Sequence, residues 1–200
     1  MPSGAVLDAD IVRSILGISK DSITSEYDAV AIFKKIMNGL DKTPIIHEYV
    51  YQNELILLGP NVKTTLQSLV SEGYIKIVGF KDHIKNFGNN SIETQLYIGQ
   101  FSKLRNSCKM ELVPEGMDIF KKAKGWSFGE IHSYLMAVSL GYEFFYSNDC
   151  ETKNFHFSFP SSKKIVVKSI KEIFSELKTR GNSLRSSIEK AIINRSALTP

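Results

Sequence analysis

Cysteine is scarce in this chain: 200 residues hold two, Cys108 and Cys150. Two thiols build no disulfide framework, and their separation matches no zinc-ligand spacing. They point to a reducing compartment, so a cytoplasmic location is expected. Long apolar runs are missing too. The longest aliphatic run, Leu55-Ile56-Leu57-Leu58, is far short of the roughly 20 residues a membrane helix needs, and no membrane partner is expected. The first ten residues carry no basic region followed by an apolar stretch, so no secretory leader is expected either. No glycine pair has the spacing of a dinucleotide loop, no Gly-Lys-Ser/Thr ending of a phosphate loop occurs, and no Gly-x-Ser-x-Gly nucleophile turn is present. The four histidines, His47, His83, His132 and His156, are scattered in sequence and suggest no zinc site.

What is present is ordinary in amount and uneven in placement. Apolar residues make up 42% and charged residues 23%, the balance of a soluble globular protein and not of a disordered chain, a collagen or a coiled-coil rod. The length fits one large domain, or one domain with an appendage. The formal net charge is +4. Residues 161–200 carry nine Lys/Arg against three acids, a balance of +6, while residues 1–160 carry 16 bases against 18 acids, a balance of −2. A basic tail on a slightly acidic body suggests an anionic partner, with nucleic acid first. A solvated pair of helices is the other reading.

Hydrophobic spacing predicts strands alternating with helices. Gly4 to Asp8, Thr43 to His47, Tyr74 to Val78 and Glu143 to Ser147 read as short buried strands, and a last strand falls within Phe155–Phe159 or Lys164–Lys168. Helices are expected over Asp10–Leu16, from Ala29 to Leu40, over Tyr49–Leu58, from Val62 to Val70, over 91–107, 114–123 and 127–140, and over 169–179 and 183–195. Gly17, Gly73, Gly141 and Gly181 mark helix ends, and Ser127 with Glu130 reads as a capping box. Short apolar strands between helices argue for a parallel sheet covered on both faces. The expected organisation is a domain over 1–160 with a helical insertion near 81–125, and a basic helical extension over 161–200 packed on the same domain.

In an open parallel sheet, sites form beyond the carboxyl ends of the strands. The residues expected there are acids. The first strand ends at Asp8, with Asp10 two residues on. The second runs into Glu48 and a helix carrying Glu54. The fourth ends at Ser147-Asn148-Asp149, and the helix before it opens with Glu130. Each acid has a structural role open to it: Asp8, Asp10 or Asp149 as a helix cap, Glu48 against a helix dipole, Glu130 in the capping box. Taken together at one sheet edge, with neither cysteine nor paired histidine, they suit a hard cation such as Mg²⁺ or Mn²⁺. They also disfavour a nucleotide site, where a phosphate would need glycines and backbone donors.

Val6-Leu7-Asp8-Ala9-Asp10-Ile11-Val12 resembles the opening of PIN-domain nucleases, with Asp10 in place of the family's usual Asn or Ser. The stretch from Gly129 through Glu130 and Gly141 to Asp149 is similar to the family's acid-headed helix, its terminal glycine, an apolar strand and a Thr/Ser-x-Asp ending. Glu54 resembles the acid on the helix after the second strand, with Glu48 competing for that role. Residues 60–125 and 161–200 are unmatched. The resemblance implies a three-layer α/β/α fold with a central, mainly parallel sheet, here with extra helices. It further implies a Mg²⁺- or Mn²⁺-dependent endoribonuclease. Asp8, Glu54, Glu130 and Asp149 would be catalytic, with Asp8, Glu130 and Asp149 as metal ligands; Glu48, Asp10 and Ser147 are the alternates. Many family members are toxins, so an antitoxin-like protein partner and a homo-oligomer are further expectations. Lys178, Arg180 and Arg185 of the basic tail are expected to contact RNA. The alternative function is a non-catalytic PIN-like interaction module that keeps its acids as helix caps.

Overall fold

The computed structural model describes residues 3–17, 28–88, 91–107, 117–121, 127–149, 152–153, 155 and 165–197. Its centre is one sheet of five parallel strands in the order β3-β2-β1-β4-β5. These are β1 (Ser3–Leu7), β2 (Lys42–His47), β3 (Lys76–Val78), β4 (Phe144–Tyr146) and β5 (Val166–Lys168). The register pairs Val6 with Ile45 on one side and with Phe145 on the other, so β1 lies in the middle. Successive side chains of a strand point to opposite faces. Ala5, Leu7, Ile46 and Tyr146 therefore join one apolar core, and Val6, Ile45 and Phe145 the other.

Helices close both faces. The first core takes α1 (Ala9–Leu16), α2 (Ala29–Gly39), α4 (Pro60–Ser71), α8 (Ile170–Thr179) and α9 (Ser186–Ser196). Ile11, Val12 and Ile15 of α1, Phe33 and Ile36 of α2, and Ile173, Phe174 and Leu177 of α8 are buried there at helical spacing. The second core takes α5 (Phe80–His83), α6 (Ile92–Ser107) and α7 (Phe128–Leu140). The fold is thus the three-layer α/β/α arrangement expected from the strand–helix alternation, with the sheet wholly parallel. The tail beyond residue 165 contributes the edge strand β5 and two core-packing helices. Among the described residues no helix is long and apolar enough to cross a membrane.

Several local expectations are corrected. The helix read as Tyr49–Leu58 is a single turn, α3 (Glu48–Val50), running into a π-helical turn at Tyr51–Leu55, with Ile56 N–H donating to Tyr51 O at 3.0 Å. Ser127 forms no capping box. It sits in the left-handed region at φ 46° and its hydroxyl makes no capping bond. Of the helix expected over 114–123, residues 117–121 form a turn, and the remainder lies outside the described residues. Phe155–Phe159 supplies no strand at its described residue Phe155; the last strand is β5.

Three of the four histidines read as scattered meet inside the second core. His47 and His132 stack with ring centroids 5.5 Å apart, and His47 Nε2 lies 3.0 Å from His83 Nε2. The partners fix the protons. His47 Nδ1 accepts from Tyr49 N–H at 3.0 Å, so its Nε2 carries hydrogen and donates to His83. His132 Nε2 donates to Ile119 O at 2.9 Å, while its Nδ1 accepts from Tyr97 Oη at 2.7 Å. Burial holds all three below the usual imidazole range: His83 at about 4, His132 at about 3, and His47 well below 6.5. Sequence separation gave no sign of this, because three different elements deliver the rings.

Candidate functional site

Strand order reverses at β1. The chain moves from β1 to β2 and β3 on one side, then to β4 and β5 on the other. The carboxyl ends of β1 and β4 therefore flank the topological switch point, where open parallel sheets place ligands. Asp8 follows β1 directly and is buried, with 2% of its surface exposed. Its Oδ1 accepts from Ala9 N–H at 2.8 Å as the N-cap of α1, and its Oδ2 accepts from Ser147 Oγ at 2.8 Å. The same Ser147 oxygen accepts from Asp149 N–H at 3.1 Å. One hydroxyl thus ties the ends of β1 and β4 together and fixes where the Asp149 backbone turns. Asp10 Oδ2 accepts from Asn148 N–H at 2.7 Å, while Asp10 Oδ1 is buried without a hydrogen-bond partner.

Two glutamates enter from the opposite helices. Glu54 comes from the π turn, and its carboxylate lies against Gly129, where an added Cβ would fall 2.8 Å from Glu54 Cδ. Glycine at 129 is what lets the two segments approach this closely. Glu130 follows in the first turn of α7, with Oε2 buried and unpartnered. The carboxyls titrate as a group. Burial, then Glu130 and Asp10, hold Asp8 well above the usual range. Burial raises Asp10. Burial and then Asp8 push Glu54 up to about 8, and burial followed by Glu54 pushes Glu130 to about 8, with Asp149 and Asp10 adding to it. Asp8, Asp10, Glu54, Glu130 and Asp149 all lie within electrostatic reach of one another or of a shared neighbour.

Glu48 stands elsewhere. Its Oε1 accepts from Phe80 N–H at 2.7 Å, serving the start of α5. The ambiguity between Glu48 and Glu54 is thereby decided for position: Glu54 joins the acids and Glu48 does not. The tail cations lie elsewhere as well. Helix α8 starts at the carboxyl edge and, over 10 residues at about 1.5 Å each, runs to the opposite edge. There Arg180 donates to Leu40 O, ahead of β2, at 3.0 Å and pairs with Glu176 at 2.6 Å, while Lys178 pairs with Glu189 at 2.9 Å. Lys178 and Arg180 are therefore not brought to the acids, and Arg185 stands just ahead of α9.

Arg13, not singled out from the sequence, is brought close. It lies one turn after Asp10 on α1, half-buried with Nε unpartnered, and its charge lowers the titration of both Glu54 and Asp10. The i, i+3 spacing from Asp10 was the signal available for it.

Among the described residues no three His, Cys, Asp or Glu side chains already stand as a ligand set around a point. The donor chemistry nonetheless suits a hard divalent cation: carboxylate oxygens only, with buried orphan oxygens on Asp10 and Glu130. Fold and site together define a three-layer α/β/α protein with an acid-lined switch point. Comparison of the chain with protein-family models, with curated proteins and with solved structures finds no match to any of the three.

Proposed function

We propose that the chain is a Mg²⁺- or Mn²⁺-dependent endoribonuclease of PIN-like type. The observation that carries this reading is the meeting of Asp8, Asp10, Glu54, Glu130 and Asp149 at the sheet's switch point, with two carboxylate oxygens buried and unpartnered. Burial and mutual repulsion make these carboxyls costly to ionise together, and a divalent cation taking the place of their protons removes that cost. Asp8, Glu130 and Asp149 would hold the ion, with Glu54 and Asp10 completing the acid wall. When bound, such a cation lowers the pKa of water and neutralises charge building on phosphate oxygens. Ser147 fixes the Asp8 carboxylate, the Asn148 N–H fixes Asp10, and Arg13 offers a cation at the rim of the acids. Toxin-type use with an antitoxin-like partner belongs to the same reading.

Calorimetric titration with Mn²⁺, alongside cleavage of labelled single-stranded RNA, tests it. Specific Mn²⁺ binding and cation-dependent cleavage are expected, both lost in Asp8→Asn. A second reading, the non-catalytic interaction module, draws on the absence of a preassembled ligand set among the described residues. It predicts no specific Mn²⁺ site in the same titration.

A further inference from the structure

The carboxyl edge of the sheet holds a second feature, two strands away from Asp8. Residues 80–87 read Phe-Lys-Asp-His-Ile-Lys-Asn-Phe. Phe80, His83 and Ile84 are buried, which turns Lys81 and Lys85 outward. Asn86 adopts the left-handed region at φ 53°, and the reversal there lays Phe87 back on Phe80, with centroids 5.3 Å apart and planes 14° from parallel. Phe120 completes the group edge-on, 5.0 Å from Phe80 and 5.1 Å from Phe87. Phe80 is covered, but Phe87 and Phe120 are only half-buried.

The acids around these rings are engaged, Glu93 among them, whose Oε1 accepts from Asn86 Nδ2 at 3.5 Å. Asp82 Oδ2 is engaged with Gly79 N–H at 2.7 Å, and Asp118 pairs with Lys121 at 3.3 Å. Lys81 and Lys85 are exposed and have no ion pair among the described residues. Lys178 and Arg180 of the tail, by contrast, are paired within the protein. Helix α5 follows β3, and Glu48 at the end of β2 accepts from its first N–H, so the rings stand on the same sheet edge as the acids. Two strand spacings separate β3 from β1, about 10 Å.

We propose that this rim is a platform for single-stranded RNA. The rings of Phe87 and Phe120 stack unpaired bases while Lys81 and Lys85 hold the neighbouring phosphates. Half-buried aromatic rings interleaved with unpaired lysines are the combination that binds single strands, because every base offers a π-face. A duplex keeps those faces stacked inside and cannot use the rings. The proposal rests on the RNA reading above for its ligand and places the strand across the β3 side of the edge, leading toward the acids at β1 and β4.

Fluorescence anisotropy of a labelled 12-nucleotide oligouridylate with the full chain in EDTA reads binding apart from cleavage. Lys81→Gln with Lys85→Gln should lower the slope of log affinity against log salt by about 1.4, roughly 0.7 for each lost phosphate contact. Phe87→Leu keeps apolar bulk against Phe80 and should weaken the single strand about tenfold with the slope unchanged. The same oligonucleotide annealed to its complement should be indifferent to Phe87→Leu. An unchanged slope in the lysine variant overturns the proposal. So does unchanged affinity in a Phe87→Leu protein that melts like wild type. Should Phe87→Leu fail to fold, the exposed lysines still decide. Cleavage absent with these binding effects present removes the hydrolysis and leaves the platform. Cleavage present without them does the reverse.

Discussion

Asp8 does two things with two oxygens. One caps α1, and the other receives the Ser147 hydroxyl from across the sheet. Helix capping alone does not explain the arrangement, because it uses one oxygen and gives no reason for Glu54 and Glu130 to approach. Single substitutions separate the roles. Asp149→Asn removes one charge near Glu130 while Asn remains acceptable at a turn. The expected result is at least tenfold weaker Mn²⁺ binding in calorimetry, loss of cation-dependent RNA cleavage, and an unaltered fold by circular dichroism. Glu54 and Glu48 should divide in the same way. Glu54→Gln should weaken Mn²⁺ binding and, because burial holds the Glu54 titration at about 8, raise the melting temperature in EDTA at about pH 8 by removing the cost of a buried ionisable carboxyl. Glu48→Ala should leave Mn²⁺ affinity alone and cost about 1–2 kcal/mol in urea unfolding, through loss of the charged acceptor for Phe80 N–H.

At the scale of elements, the start of α7 shows how a sequence signal and the structure part. Ser127 and Glu130 have capping-box spacing, yet Glu130 is turned into the acids and Ser127 lies at φ 46° without a capping bond. A left-handed conformation costs a non-glycine residue roughly 1–2 kcal/mol, of which glycine's greater chain entropy takes back part. Ser127→Gly should therefore stabilise the protein by about 0.5–1 kcal/mol in urea unfolding, whereas a working capping box would make it neutral or destabilising. The strands, the helix-ending glycines and the acids at strand ends were legible, because each depends on neighbours in sequence or on the polarity of a parallel sheet. The π turn was not legible. It differs from an α turn by one residue per hydrogen-bonded ring, a difference that hydrophobic spacing over five residues does not resolve. That one residue also governs which way Glu54 faces, which is why Glu48 and Glu54 stayed open until the backbone was known. The placement of the basic tail was not legible for a related reason. Its composition was plain, but composition does not say that α8 runs away from the acid edge and that Lys178 and Arg180 at its end are joined to Leu40, Glu176 and Glu189.

The whole molecule carries two buried titrating groups that respond to pH in opposite senses. Glu54 and Glu130 titrate at about 8 in the fold against an ordinary 4.5. The folded chain holds their protons more tightly than the unfolded chain does. Their contribution is complete below about pH 4.5 and is lost as pH rises toward 8. The histidines act the other way. Neutral His83 and His132, titrating at about 4 and about 3 against an ordinary 6.5, contribute fully above pH 6.5 and lose that contribution as pH falls toward 4 and below. His47 shifts in the same direction and for the same reason, burial. Without divalent cations, stability by urea unfolding should therefore peak between about pH 4.5 and 6.5 and fall on both sides. Mn²⁺ competes with protons for the same carboxylates, so its stabilising effect should be negligible at pH 4.5 and grow toward pH 8, flattening the alkaline side while leaving the acid side unchanged. An alkaline decline that Mn²⁺ does not correct would show that the acids are held together for packing alone. A missing acid decline would show that the histidine cluster does not persist as a buried neutral unit.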